Sequence, residues 1–130
     1  MDMPWTKIAP VHPHGEYLAL LTYLPLKKYR TIPRFFWSTF AIQRQLAGSA
    51  GILGYALRAK PLRKHFWTMS AWLDEKSLMD FALRIPHSQI MKALSPHMGS
   101  TKFIRWKVAG SDVPLRWDVA IERAKQEAQP

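Results

Sequence analysis

One histidine in this chain stands where a neutral imidazole could do chemistry. His87 follows Pro86 at the start of a helical segment, and it shares an apolar stripe with Ile90, Met91 and Leu94 at i, i+3, i+4 and i+7. Burial and the positive end of the helix dipole both disfavour the imidazolium. A neutral ring there could be a base or an iron ligand, and the alternative is a packed histidine bonded to a nearby carbonyl.

An arginine among aromatic side chains is the second candidate. Arg44 lies one turn after Phe40 and two turns after Trp37 on the same predicted helix, which also carries Phe36. Its guanidinium could bind a carboxylate or propionate through two hydrogen bonds. The alternative is a stem packed on the rings with the charged head in water. The pattern predicts an aromatic wall with an anion anchor.

The predicted strands supply further candidates. His65, Trp67 and Met69 alternate along one strand and therefore share a face. His65 could line a pocket with them or lie at a solvated strand end. Trp106, on the last predicted strand, is another expected pocket wall.

Several kinds of chemistry have no matching motif. The chain has no cysteine, which excludes disulfides, thiolate nucleophiles and cysteine-ligated metal clusters. It has no phosphate-binding glycine loop and no nucleophile elbow. His12 and His14 form a His-x-His pair without other matched ligands, so no metal site is predicted.

The net charge of +10 favours an anionic partner or reflects a basic surface. The basic clusters are short and match no nucleic-acid motif, so a small hydrophobic or anionic ligand is expected before nucleic acid. No apolar run approaches the roughly 20 residues of a membrane span, and no signal peptide is recognisable at the N-terminus. A cytoplasmic protein is therefore expected.

Periodicity and turn residues predict the elements that must position these side chains. Residues 1–15 read as an irregular arm, and residues 16–128 as one domain. Pro86 should break the second helical region and start its next segment. The expected strands are 16–24, 52–60, 64–72 and 101–109, and the expected helices are 33–47, a segment capped by Asp74, the segment from Pro86 and 117–128.

This order is β-α-β-β-α-β, which predicts an α+β, ferredoxin-like sandwich. Both principal helices should cover one face of the sheet. The other face must be buried by something else, and a second copy of the chain is the economical solution. A homodimer forming a dimeric α+β barrel is therefore expected.

Residues 66–78, with Phe81 and Pro86-His87, resemble the strand-helix signature of the antibiotic biosynthesis monooxygenase superfamily. The segments 97–108 and 117–118 resemble a branch of that superfamily related to spheroidene monooxygenase. The resemblance covers roughly residues 16–125. It implies a dimeric α+β barrel, and the superfamily includes cofactor-free monooxygenases, haem-degrading enzymes, haem-containing relatives and isomerases.

The resemblance also bears on haem. Haem-degrading members ligate iron through a histidine on the second helical region and ruffle the porphyrin with an earlier tryptophan. Those places hold Met91 and Phe81 here, and the histidine stands one turn earlier, at His87. This departure argues against haem degradation of that type but leaves haem held by His87 open, which kinship to spheroidene monooxygenase would allow.

Three functions follow as hypotheses. The first is a small-molecule monooxygenase acting on an aromatic or polyene-like substrate between sheet and helices, with His87 as base and Arg44 as anion anchor. Its cofactor would be none, or haem with His87 as axial ligand. The second is a non-catalytic dimeric binding module, and the third is nucleic-acid binding, which ranks last.

Overall fold

The computed structural model describes residues 2–84 and 87–128, without the side chains of residues 127 and 128. Five antiparallel strands form one sheet in the order β1-β3-β4-β2-β5. The strands are β1 Thr6–Lys7, β2 Glu16–Pro25, β3 Ile52–Lys60, β4 His65–Trp72 and β5 Lys102–Ala109. The helices are α1 Ile32–Ala47, α2 Glu75–Leu83, α3 His87–Leu94 and α4 Trp117–Ala128.

The predicted α+β, ferredoxin-like order is confirmed, and the four principal strands and α1 lie within one residue of their expected bounds. Gly48 caps α1, and the Asp74 carboxylate accepts the Ser77 N–H at 2.8 Å at the start of α2. Ile85 and Pro86, the expected junction between α2 and α3, lie outside the described residues.

Strand register sorts the side chains onto two faces. β2 pairs with β4 on one side and β5 on the other, with Thr22 opposite Thr68 and Leu21 opposite Met69. Because side chains alternate along a strand, Leu20, Thr22 and Leu24 face α1, α2 and α3, whereas Leu21 faces the opposite side.

The expectation that the second face of the sheet is left bare is wrong. Helix α4 covers part of it: Ala120 is fully buried, and Ile121 packs against the same core as Met69 and Trp106. Small and apolar residues at 117, 120, 121 and 124 form one side of α4 at helical spacing. Charged residues separate them along the sequence, so the pattern does not show which surface this side of the helix covers.

The N-terminal arm is also more ordered than expected. Thr6–Lys7 adds a fifth strand by pairing with Tyr55 and Gly54 of β3. The Trp5 ring lies where a side chain at Gly54 would have to be, since a Cβ there would collide with the indole. Because Gly54 has no side chain, the arm can pack closely against β3.

Candidate functional site

A cavity of about 300 Å³ lies between the sheet and helices α1, α2 and α3, where the sequence predicts a pocket. Its size falls at the lower end of the roughly 300–1,000 Å³ range of small-molecule sites. Most of its walls are apolar. They include Leu20, Leu24, Phe35, Ile42, Leu46, Tyr55, Leu57, Trp72, Leu78, Phe81, Met91, Leu94 and Met98.

The floor of the cavity carries a small polar group of side chains. Thr22 and Thr68 are direct partners in the β2–β4 register, and Ser70 follows two residues along β4 on the same face. Thr22 and Ser70 are buried, and the Ser70 hydroxyl accepts the indole N–H of Trp72 at 2.8 Å. These hydroxyls can orient a polar atom of a ligand that is otherwise apolar.

One glutamine fixes the junction where His87 stands. Gln45 projects from α1, and its Nε2 donates to the carbonyl oxygen of Phe81 at 3.2 Å, at the end of α2. Its Oε1 accepts the backbone N–H of His87 at 2.8 Å, at the start of α3. The Phe81 carbonyl also accepts the Arg84 N–H at 3.2 Å. A single amide side chain thus links a carbonyl in the last turn of one helix to the first N–H of the next.

The His87 ring forms part of the cavity wall. Its Nδ1–H donates to the carbonyl oxygen of Ala82 at 3.0 Å, and its ring lies 4.7 Å from the ring of Phe81. A carbonyl can only accept, so this bond assigns the proton to Nδ1 and leaves the Nε2 lone pair free. In the described part of the chain, Nε2 has no hydrogen-bond partner.

The electrostatic setting keeps this imidazole neutral. Burial lowers the pKa of His87 below its ordinary value of 6.5, and the hydrogen bond to Ala82 opposes this only in part. A neutral ring with a free Nε2 can accept a proton from a ligand. His87 thus has the state required of a general base at neutral pH.

A cation stands at the mouth of the cavity. Arg105 of β5 lines it together with Phe103 and Met79, all three of which are exposed. The Arg105 guanidinium pairs with Glu75 at 2.9 Å and lies 3.8 Å from the sulfur of Met79. An anionic ligand group entering here would meet Arg105, not Arg44.

A second groove, of about 340 Å³, runs along the other side of α1. Phe36 and Phe40 line it from α1 and Trp67 lines it from β4. Phe35, Thr39, Gln43, Leu57 and Thr68 border both spaces. The groove and the cavity are thus separated by this shared wall.

The predicted site residues separate into those that meet at the cavity and those that do not. His87 and Met91 line it, and Phe36, Phe40 and Trp67 line the adjoining groove. Trp37 and Arg44 instead project outward from α1 into solvent. The three consecutive aromatics Phe35, Phe36 and Trp37 leave the inward face of α1 ambiguous in the sequence, and of these only Phe35 is buried against the sheet.

The remaining predicted residues belong to the opposite face of the sheet. Trp106 is buried against α4, and Met69, although it borders the cavity floor, packs in the same core. His65 lies edge-on to Tyr23 and Trp67 at the free end of that face. The predicted sharing of a strand face by His65, Trp67 and Met69 is confirmed, but that face points away from His87 and towards the core beneath α4, although Trp67 also borders the groove beside α1.

Two site residues were missed by sequence reasoning. Gln45 lies three and seven residues after Ile42 and Ser38, on the inward face of α1, so helical spacing could have found it. Arg105 alternates with Phe103 on β5, but only the packing of α2 above that strand shows that both border a cavity. No group of three histidines or carboxylates in the described residues is placed to hold a metal ion.

No protein-family model matches the chain, and no curated protein matches it. Solved structures do. A candidate monooxygenase from Fusobacterium nucleatum superposes with a TM-score of 0.65 at 11% identity, over 76% of this chain and 45% of that one. This chain therefore spans less than half the length of that protein.

Two shorter proteins match over nearly their whole length. An antibiotic biosynthesis monooxygenase has a TM-score of 0.63 at 13% identity, over 68% of this chain and 95% of its own. SnoaB from Streptomyces nogalater, a cofactor-independent oxygenase, has a TM-score of 0.57 at 15% identity, over 75% and 97%. The chain shares their ferredoxin-like fold. At these identities the likeness shows the fold alone, so the expected superfamily and its branch related to spheroidene monooxygenase both stay predictions.

Proposed function

We propose that this protein binds an apolar, ring-sized organic molecule in the cavity beneath α1, α2 and α3 and oxidises it with O₂ as a cofactor-free monooxygenase. One observation carries the proposal. His87 stands in the wall of a mostly apolar cavity, held as a neutral Nδ1–H tautomer with Nε2 free. The names of structures with the same fold make oxygenase chemistry the first class to test.

The cavity favours an aromatic or polyene-like substrate with few polar atoms. Its walls offer apolar contact, and Thr22, Thr68 and Ser70 offer hydroxyls to a carbonyl or phenolic oxygen. Arg105 at the mouth would attract an anionic group. Arg44, expected from the sequence to do this, lies outside the cavity.

The chemistry assigned to His87 is proton removal. Nε2 takes a proton from an acidic C–H or O–H of the substrate, and the electron-rich anion that remains reduces O₂. For a methylene substrate, one CH₂ group and one O₂ give one carbonyl group and one water, so no external reductant is consumed. The apolar walls keep bulk water from the anion.

The sequence leaves two possibilities for the cofactor, none and haem, and haem fits the cavity less well. His87 could offer Nε2 to iron and Arg105 a cation to a propionate, but the cavity is at the small end for organic ligands and a porphyrin is far larger than one ring system. The residues present therefore fit a smaller ligand, and no step is assigned to haem. Absorption spectra taken with added haemin would show a sharpened Soret band if His87 did bind it.

A homodimer belongs to the same proposal. Helix α4 covers only part of the second sheet face. The uncovered end of that face presents Tyr23, His65 and Trp67, which are half-buried in the monomer. A second copy would finish burying these rings. Sedimentation equilibrium should give twice the chain mass. A cytoplasmic location likewise stays a prediction. None of the described helices has both the length and the apolar composition of a membrane span.

Anthrone, a tricyclic ketone with an acidic methylene, is a suitable probe of this function. We expect it to bind and to consume one O₂ per anthraquinone formed, measured with an oxygen electrode and by absorbance. His87→Gln should bind anthrone but lose most of the oxygen uptake, whereas His97→Gln, a change at an exposed histidine, should behave as the parent does. Binding without oxygen uptake by the parent would favour the binding module, and absence of binding would contradict the proposal.

A further inference from the structure

The charges of this chain are distributed unevenly along the sequence. Residues 17–73 contain no aspartate or glutamate, whereas the same stretch carries nine lysines and arginines. Of these, Arg58 pairs with Asp2 at 2.8 Å. Among the described residues the other eight have no ion-pair partner, so their charge is open to an anionic surface.

Contacts bring part of this basic stretch together at one end of the sheet. The turn between β3 and β4 packs against the segment that precedes α1: the Tyr29 hydroxyl donates to the carbonyl oxygen of Leu62 at 2.5 Å. The ammonium group of Lys64 lies 4.8 Å from the Tyr29 ring centre and donates to the carbonyl oxygen of Lys27 at 3.2 Å. Helix α1 begins immediately after this segment.

Large apolar side chains on α1 and at the turn between β3 and β4 stand in solvent. Leu62, at the tip of the turn, is 87% exposed, and Trp37 and Phe40, on the outward side of α1, are 76% and 57% exposed. Arg30 and Arg34 precede Trp37 in sequence, and Arg63 follows Leu62; all three are exposed. We call Arg30, Arg34, Trp37, Phe40, Leu62 and Arg63 the basic–aromatic surface.

We propose that the basic–aromatic surface docks on an anionic lipid bilayer. Tryptophan, phenylalanine and leucine enter the boundary between headgroups and acyl chains, and arginine and lysine beside them bind the negative headgroups. An aliphatic tip such as Leu62 gains nothing from a nucleic acid, which would need stacking faces and cations only. Charge and exposed apolar groups together therefore favour lipid.

Docking there would also place the groove beside α1 near the bilayer. Phe40 belongs to the surface and lines the groove, whose inner wall of Phe35, Thr39 and Gln43 is shared with the cavity of His87. An apolar substrate dissolved in lipid could then enter the groove, which the shared wall separates from the cavity. This consequence rests on the proposed function, whereas lipid docking itself does not.

Co-sedimentation with vesicles tests the docking, because it needs no substrate. We expect the parent to bind vesicles of mixed phosphatidylcholine and phosphatidylserine, to bind pure phosphatidylcholine far less, and to release at high salt. The double variants Trp37→Ser/Phe40→Ser and Arg30→Glu/Arg34→Glu should each lose about tenfold or more of the affinity for mixed vesicles.

Matched controls distinguish docking through this surface from non-specific effects of charge or exposed apolar area on vesicle affinity. Leu73→Ser/Leu83→Ser removes two exposed apolar groups elsewhere, and Arg123→Glu/Lys125→Glu reverses two exposed charges on α4. Both controls should retain the parent affinity, and circular dichroism should show all variants folded. Absence of vesicle binding by the parent, or equal losses in the controls, would overturn the proposal. So would tighter binding of a single-stranded oligonucleotide that does not depend on Trp37 and Phe40. Loss of docking with anthrone oxidation intact would leave the proposed function standing.

Discussion

Adjacent phenylalanines on α1 provide a direct test of how this helix sits on the sheet. Phe35 is 3% exposed, its ring centre lies 4.4 Å from that of Phe66, and it separates the cavity from the groove. Phe36 is 40% exposed and meets Phe66 only edge-on, at 5.7 Å. Replacing each by alanine therefore removes the same atoms from two different environments.

The expected losses follow from burial. Truncating a fully buried phenylalanine costs about 3–5 kcal/mol, because transfer free energy is lost and a void remains. Phe36→Ala should cost roughly 1 kcal/mol, as is usual for a partly exposed side chain. The free energy of unfolding of a small domain is about 5–15 kcal/mol in total. Phe35→Ala should therefore remove a large part of the stability, and Phe36→Ala only a small part.

Urea unfolding followed by far-ultraviolet circular dichroism measures both free energies of unfolding, and an unchanged m-value shows that the same structure unfolds. If Phe35→Ala proves too unstable to purify, Phe35→Leu should show a smaller loss of the same kind. A Phe36→Ala loss equal to or larger than that of Phe35→Ala would mean that α1 is rotated and that the described cavity wall is wrong.

Further predictions concern His87, α2 and α4. Because the folded-state pKa of His87 is lowered, the unfolded chain binds more protons than the folded one at acidic pH. The free energy of unfolding of the parent, relative to that of His87→Gln, should therefore rise with pH up to the ordinary pKa of 6.5 and then level off. Urea titrations at several pH values measure this difference, and a difference that falls with pH would contradict the prediction. Asp74→Ala should lower the melting temperature by removing the cap on the Ser77 N–H, and Asp74→Asn less so. The pKa of Asp74 is lowered by that hydrogen bond, so its contribution should be present above the ordinary 3.8 and be lost as pH falls through the folded-state pKa in calorimetry at low pH. Ala120→Glu should destabilise far more than Val119→Glu in thermal unfolding, since Ala120 is fully buried between α4 and the sheet and Val119 is 48% exposed. Equal effects would mean that α4 does not pack on the sheet.

Local patterns predicted most of the fold because their signals are short-ranged. Pro33 and Gly48 bound α1, Asp74 caps α2, and alternation defines the strands, and none of these needs long-range information. Helix α4 shows where such reasoning fails. Its apolar residues were visible, but which face of the sheet they cover depends on how the chain returns after β5.

The site was predicted only in part, for a similar reason. His87 was found because a histidine on an apolar stripe at a helix start is unusual, and it does line the cavity. Arg44 and Trp37 were assigned to the cavity because aromatics surround α1, and residue type alone cannot show which side faces the sheet. Arg105 required the packing of α2 over β5, a tertiary contact that periodicity does not contain.

The central claim is that His87 is a neutral base open to a ligand in the cavity. Nitrogen-15 NMR of the histidine rings, recorded across pH and with added anthrone, tests it most directly. We expect His87 to show the Nδ1–H tautomer, a pKa below 6.5 and an Nε2 signal that shifts when anthrone binds. An Nε2–H tautomer, a pKa at or above the ordinary value, or an Nε2 signal that anthrone leaves unchanged would contradict the account.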